Sequence, residues 1–105
     1  MPFLDTAALD SINKRPGWNG KLFHSENNTF VWWDFAADAD IHNHRHSQEE
    51  VWLLIEGELE VTIGGEKTLV RPGMAAIIPP DTAHSVRVIQ PGHAIVVDHP
   101  LRERF

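Results

Sequence analysis

A chain of 105 residues is one domain, long enough for a single core and too short for two. Nine Lys and Arg against fifteen Asp and Glu leave a formal charge of −6, so no basic stripe exists to neutralise a phosphate backbone, and nucleic acid is not an expected partner. The absence of cysteine excludes disulfides, thiolate nucleophiles and Cys-type zinc sites.

The first segment, "MPFLDTAALDSI", has no basic stretch leading into an apolar core, and no later run is long enough to cross a bilayer. A soluble, cytoplasmic protein with no membrane partner is the expectation. Within that segment "LDTAALDSI" is amphipathic, and the breakers Pro16, Gly17 and Gly20 follow. Together they predict an N-terminal arm over residues 1–20 carrying a peripheral turn of helix, with the main domain over 21–105. From Lys21 the helical period disappears. The runs "TFVWWDFA", "EEVWLLIEG", "ELEVTIGG", "KTLVRPG", "MAAIIPP", "AHSVRVIQPG" and "HAIVVDHP" are rich in β-branched and aromatic residues and are separated by turn formers. They predict roughly seven to nine short strands. Gly64-Gly65 sits between two alternating runs, where a tight hairpin needs residues that tolerate positive φ. With no helix to cover a sheet, the fold class is all-β: a sandwich, a barrel or a jelly roll.

The run "IHNHRHSQEE" carries three histidines in alternation, His42, His44 and His46, followed by Glu49 and Glu50. Side chains two apart on a strand share a face, so His44 and His46 can converge, with Glu50 arriving from the next strand. Two imidazoles and a carboxylate suit Fe(II), Mn(II), Ni(II), Cu(II) or Zn(II).

The spacing that follows carries a family resemblance. After Glu50, six residues lead to Gly57, and "GMAAIIPPDTAHSVRV" begins at Gly73. Residues 38 to 88 resemble the cupin superfamily, whose motifs read Gly-x5-His-x-His-x3-4-Glu-x6-Gly and Gly-x5-Pro-x-Gly-x2-His-x3-Asn. His44, His46, Glu50 and Gly57 match the first motif; Gly73, Pro79 and His84 match the second. Asp38 and Asp81 stand where the motifs have glycine, and Val88 where the second ends in asparagine. Asp is tolerated at such turn positions because its short side chain can bond its own backbone.

The resemblance implies a double-stranded β-helix, the cupin jelly-roll barrel, with a divalent ion (Fe, Mn, Ni or Zn) held by His44, His46, Glu50 and His84. The six-residue count to Gly57 favours Glu50 over Glu49. His42 is read as a residue of the rim, and His24, His93 and His99 as surface histidines. Inward alternation offers as cavity walls Trp32 or Trp33, Phe30 or Phe35, Trp52, Met74 or Ala75, Ile77 or Ile78, and Val86. Trp52, two residues beyond Glu50, is expected beside the ion, able to stack on a flat or sugar-like ligand. The ending "DHPLRERF" supplies Arg102 and Arg104. Its Pro-x-Arg-Glu-x-Phe pattern is similar to the tail of small cupins of pectin and alginate breakdown that open unsaturated uronate rings. That likeness carries over Arg102, whereas the family's upstream aspartate falls on Val96, with Asp98 two residues later. The expected function is a metal-dependent enzyme acting on a small polar organic substrate, as a dioxygenase, an isomerase or a sugar-acid ring opener. The alternative is a non-catalytic small-molecule or sugar binding module with a structural metal. A homodimer is expected, as in many one-domain cupins. The strand Val51–Ile55, apolar on both faces, needs a cover for its outer side.

Overall fold

The computed structural model describes residues 3–103 and 105; Arg104 lies outside them. Eight strands follow a 3-10 turn at Thr6–Ala8: β1 Ser11–Arg15, β2 Trp18–His24, β3 Thr29–Phe35, β4 Asp40–His44, β5 Glu49–Ile63, β6 Glu66–Val70, β7 Ala75–Ile78 and β8 His84–His99. No α-helix occurs among the described residues. The arm's expected helical turn is thus the single 3-10 turn, but the boundary expected at residue 20 falls inside β2. Pro16-Gly17 closes a β1–β2 hairpin across the pair Arg15–Trp18. Trp18 is among the most deeply buried side chains.

β5 and β8 are each long enough to serve two sheets. Their outer halves, Glu49–Glu56 against His93–His99, pair with β3 and β7. Their inner halves, Glu58–Ile63 against His84–Gln90, pair with β4 and β6. With β1 and β2 extending the first sheet beyond β3, two antiparallel sheets face each other in a jelly roll. Both strands bend at the same place. A Cβ on Gly92 would lie 1.9 Å from the Glu56 carbonyl oxygen, and one on Gly57 2.7 Å from that of Gln90, so the backbones cross there only because neither residue has a side chain. The register shifts between Leu54 and Leu59 move the inward parity of β5 from Trp52 and Leu54 to Leu59 and Val61. Gly64 and Gly65, at φ 56° and 86°, close the β5–β6 hairpin as expected.

The sheets enclose one apolar core of Trp18, Val31, Phe35, Leu54, Leu59, Ile78 and their neighbours. Trp18 lies edge-on to both Trp33 and Trp52, with ring centroids 5.8 and 5.9 Å away. Of the expected alternatives, Trp33, Phe35 and Ile78 point inward, while Trp32, Phe30 and Ile77 take the outer face. Met74 and Ala75 are both exposed, and the β7 wall is formed by Ala76 and Ile78. That outer face is apolar over several strands. Leu53, Ile55 and Ile77 are 40%, 42% and 62% exposed, and Phe23 stacks on Phe30 at 5.0 Å.

Candidate metal centre

At the end of the barrel away from the glycine crossing, β4, β5 and β8 bring the histidines together. His44 and His84 are direct cross-strand partners with ring centroids 4.3 Å apart. His46 follows β4 and sits 4.9 Å from the His84 ring. One nitrogen from each of the three lies within 4.8 Å of the others. Each ring is fixed in the same sense. Nδ1 of His44, His46 and His84 faces the carbonyl of His42, Gln48 and Thr82 at 2.8, 3.1 and 2.8 Å. A carbonyl only accepts, so each Nδ1 carries the proton and each Nε2 of the neutral ring keeps a lone pair.

Those lone pairs are what a cation requires, and Nε2 of His46 and of His84 is buried with no hydrogen-bond partner. Burial lowers the pKa of both His44 and His84, the backbone bond to His42 or Thr82 acting weakly the other way. Burial thus favours the neutral form of His44 and His84, the form that ligates. This donor set fits a divalent transition metal.

Glu50 enters from β5 and is buried. Its Oε2 is 3.3 Å from His46 Nε2 and its Oε1 3.6 Å from His84 Nε2. Trp52 Nε1 donates to Oε1 at 2.7 Å and Arg102 Nη1 to Oε2 at 3.0 Å. Each oxygen then retains one lone pair, enough for a monodentate ligand. Burial pulls the Glu50 pKa upward, but the neighbouring His46 and Asp98 side chains, the Trp52 N–H and the charge of Arg102 outweigh it, and the carboxyl is held ionised far below its usual range. Glu49 faces out, exposed.

Asp98 lies outside the expected ligand set; the tail likeness placed its aspartate on Val96, two residues earlier. Asp98 is the cross-strand partner of Glu50, fully buried, with Arg102 Nη1 3.5 Å from Oδ2. His46, Glu50 and Asp98 form a second triad with ligand atoms within 4.8 Å, sharing His46 with the first. Burial and the close, negatively charged Glu50 push the Asp98 carboxyl up to about 9, against the pull of Arg102. Two adjacent carboxyls cannot both ionise in a dry site, so the pair holds one proton, and Asp98 carries it. The inward run Ala94, Val96, Asp98 was the signal that could have exposed it.

Trp52 lines the cavity, but only 3% of it is exposed and its N–H is committed to Glu50, so it holds the carboxylate and offers no open stacking face. Arg102 is fastened to Glu50 and lies 4.3 Å over the Phe105 ring. The tail is pinned by Thr29 Oγ1, which accepts from Arg102 N at 2.8 Å, and by Gln48 Nε2, which donates to the Leu101 carbonyl at 3.2 Å. His42 is exposed beside His44, at the rim. His24 and His99 are exposed; His93 is half-buried between Asp34 and Glu56 on the outer surface.

The Cupin domain family profile matches residues 31–99, which contain all four expected ligands. The chain is a cupin. No curated protein sequence matches it. Among solved structures, this cupin is similar to an RmlC-like cupin from Shewanella frigidimarina NCIMB 400, with 21% identity, TM-score 0.90, and coverage of 98% of this chain and 94% of that one. It is similar to KdgF from Halomonas sp., with 25% identity, TM-score 0.89, and coverage of 98% and 96%. It is also similar to TT1209 from Thermus thermophilus, with 28% identity, TM-score 0.79, and coverage of 97% and 100%. The jelly-roll architecture is thus shared over nearly the whole length of each.

Proposed function

We propose that this cupin is a metal-dependent enzyme acting on a small polar organic substrate, with ring opening or isomerisation of a sugar acid as the favoured reaction. The observation that carries the reading is the pair of buried, unpartnered Nε2 atoms on His46 and His84, aimed with His44 at one point beside an ionised Glu50. His44, His46, His84 and Glu50 would hold a divalent ion, which when bound supplies Lewis-acid polarisation of a substrate oxygen.

The chain's own residues then supply the rest. Trp52 and Arg102 orient Glu50. Asp98 holds a proton at its buried carboxyl, a reservoir of the kind proton-transfer chemistry uses. The trio Trp18, Trp33 and Trp52 keeps the inner wall dry. The similarity to KdgF and the tail residues Pro100, Arg102, Glu103 and Phe105 support ring opening over oxygen chemistry.

The test pairs elemental analysis with turnover of unsaturated uronates followed by NMR. His46→Ala should lose both metal and turnover. Turnover surviving in metal-free protein, or consumption of dioxygen during the reaction, would reject the proposal. The reading includes a homodimer, supported by the outer apolar face at Leu53, Ile55 and Ile77.

A further inference from the structure

The cavity in front of the histidines is lined on one side by residues of the N-terminal hairpin, Ile12, Lys14 and Arg15. A strand would show alternate residues to one side, so Lys14 and Arg15 should not both face it. The reason is a register shift in β1: Ile12 pairs with Gly20 and Arg15 with Trp18, one residue out of step. Such an irregularity re-aims side chains, and here two adjacent basic residues, Lys14 exposed and Arg15 half-buried, border the same mouth.

The charges at this mouth do not balance. Lys14, Arg15 and Arg102 face a single ionised carboxylate, Glu50, in a chain whose formal charge is −6. Arg102 is already paired with Glu50 at 3.0 Å. Among the described residues, neither Lys14 nor Arg15 has a carboxylate within 4.0 Å. An overall negative protein repels small anions at long range, so two uncompensated cations at one cavity act as a local attractor. Arg15 is half-buried and lines the same cavity as His44 and His84.

The remaining walls are apolar, from Trp33 and Val86 to Phe105, and the enclosed space is about 40 Å3, room for roughly three waters. Only the reacting end of a ligand fits inside; the rest must lie against the hairpin and Phe105. We infer that Lys14 and Arg15 are specificity residues of this site, binding the carboxylate of an organic acid whose reacting end reaches the histidines. This rests on the reading of the site given under Proposed function and adds the residues that select an acid there.

The experiment compares two acids with their neutral amides on full-length, metal-loaded protein: galacturonate against galacturonamide, and benzoate against benzamide, by isothermal titration. At least one acid should bind about tenfold tighter than its amide, because a charge-assisted bond to a guanidinium is worth that factor. Which pair shows the margin distinguishes a sugar acid from an aromatic acid. Lys14→Gln with Arg15→Gln should erase the margin with metal content unchanged, and Lys14→Arg with Arg15→Lys should retain most of it. Equal binding of acid and amide, no binding of either acid at millimolar concentration, or a margin that survives in the Gln pair overturns the inference. So does loss of metal from the Gln pair, since the cations would then serve the histidines and not a ligand. A wild-type protein that takes up no metal refutes the metal-dependent reading, while the acid-to-amide ratio is still measured on that same protein.

Discussion

Trp52 Nε1 and Glu50 Oε1, two residues apart on β5, are joined by a buried hydrogen bond of 2.7 Å. One pleat of one strand thus carries an acid and the group that aims it. The indole needs an acceptor because it is buried, and the carboxylate needs donors for the same reason. Trp52→Phe keeps most of the ring and deletes the donor. Affinity for Mn(II) or Zn(II) should fall about 10- to 100-fold with the β-sheet circular dichroism retained, as when a partner of a ligand is removed. Unchanged affinity would mean that the indole only fills space.

Acid and base act on this site with opposite signs. Asp98 titrates near 9 in the folded chain against 3.8 as its ordinary value, so between those limits the folded state keeps a proton the unfolded state has lost. Its contribution to the stability of the metal-free protein is complete below about pH 4 and disappears as pH rises through about 9. Glu50, His44 and His84 have lowered values, and their contributions are lost as pH falls below their ordinary values of 4.5 and 6.5. Asp98→Asn stays neutral at every pH and nearly keeps the shape. In urea titrations its stability relative to wild type should rise steadily from about pH 5 to about pH 9. A difference that does not vary with pH would refute a protonated Asp98.

Asp38 and Asp81 have φ of 64° and 56°, the only residues other than glycine with positive φ among those described. They occupy the two motif positions where the family pattern has glycine. Asp81 also donates its backbone N–H to the His46 carbonyl at 2.8 Å, tying the β7–β8 loop to the ligand segment. Asp81→Gly should be neutral or slightly stabilising, and Asp81→Val should cost about 1–2 kcal/mol, since a β-branched residue resists the left-handed conformation. Chemical denaturation at fixed pH measures both. Equal stability of the Gly and Val variants would contradict the backbone geometry.

Leu53 and Ile77 present bare hydrocarbon on the outer face of the first sheet. Placing a charge there disturbs no buried contact in one protomer but opposes any isologous contact between two. Leu53→Glu should give a monomer by sedimentation velocity with the melting curve of one folded domain. A wild type that already sediments as a monomer at micromolar concentration would remove the dimer from the proposal.

Much of this was legible in the residues because the site depends on spacing. His44, His46, Glu50 and His84 follow from the spacing of the cupin motifs, with alternation explaining only why His44 and His46 could share a face, and the choice of Glu50 over Glu49 matches their burial. What escaped depended on pairing between distant segments. Gly57 and Pro91-Gly92 read as turns between separate strands, whereas each is a bend within one long strand, a distinction made only by the partner backbone crossing there. Residues 1–20 read as an arm because Pro16, Gly17 and Gly20 punctuate them; Pro16 and Gly17 make a hairpin that sends Trp18 into the core. Asp98 was only partly legible for a related reason: the tail likeness placed its aspartate on Val96, two residues short, and only the pairing across the ladder puts Asp98 beside Glu50.

The crossing of Gly57 with Gly92 has a mechanical corollary. β5 and β8 together make a clothes-peg, sprung at that pivot, whose jaws meet where Glu50 and Asp98 of one leaf approach His84 of the other. A cation held between Glu50 and His84 would fasten the jaws far from the pivot. Its departure would free the tips first, leaving the pivot and the tryptophans around Trp18 as the last parts to come apart.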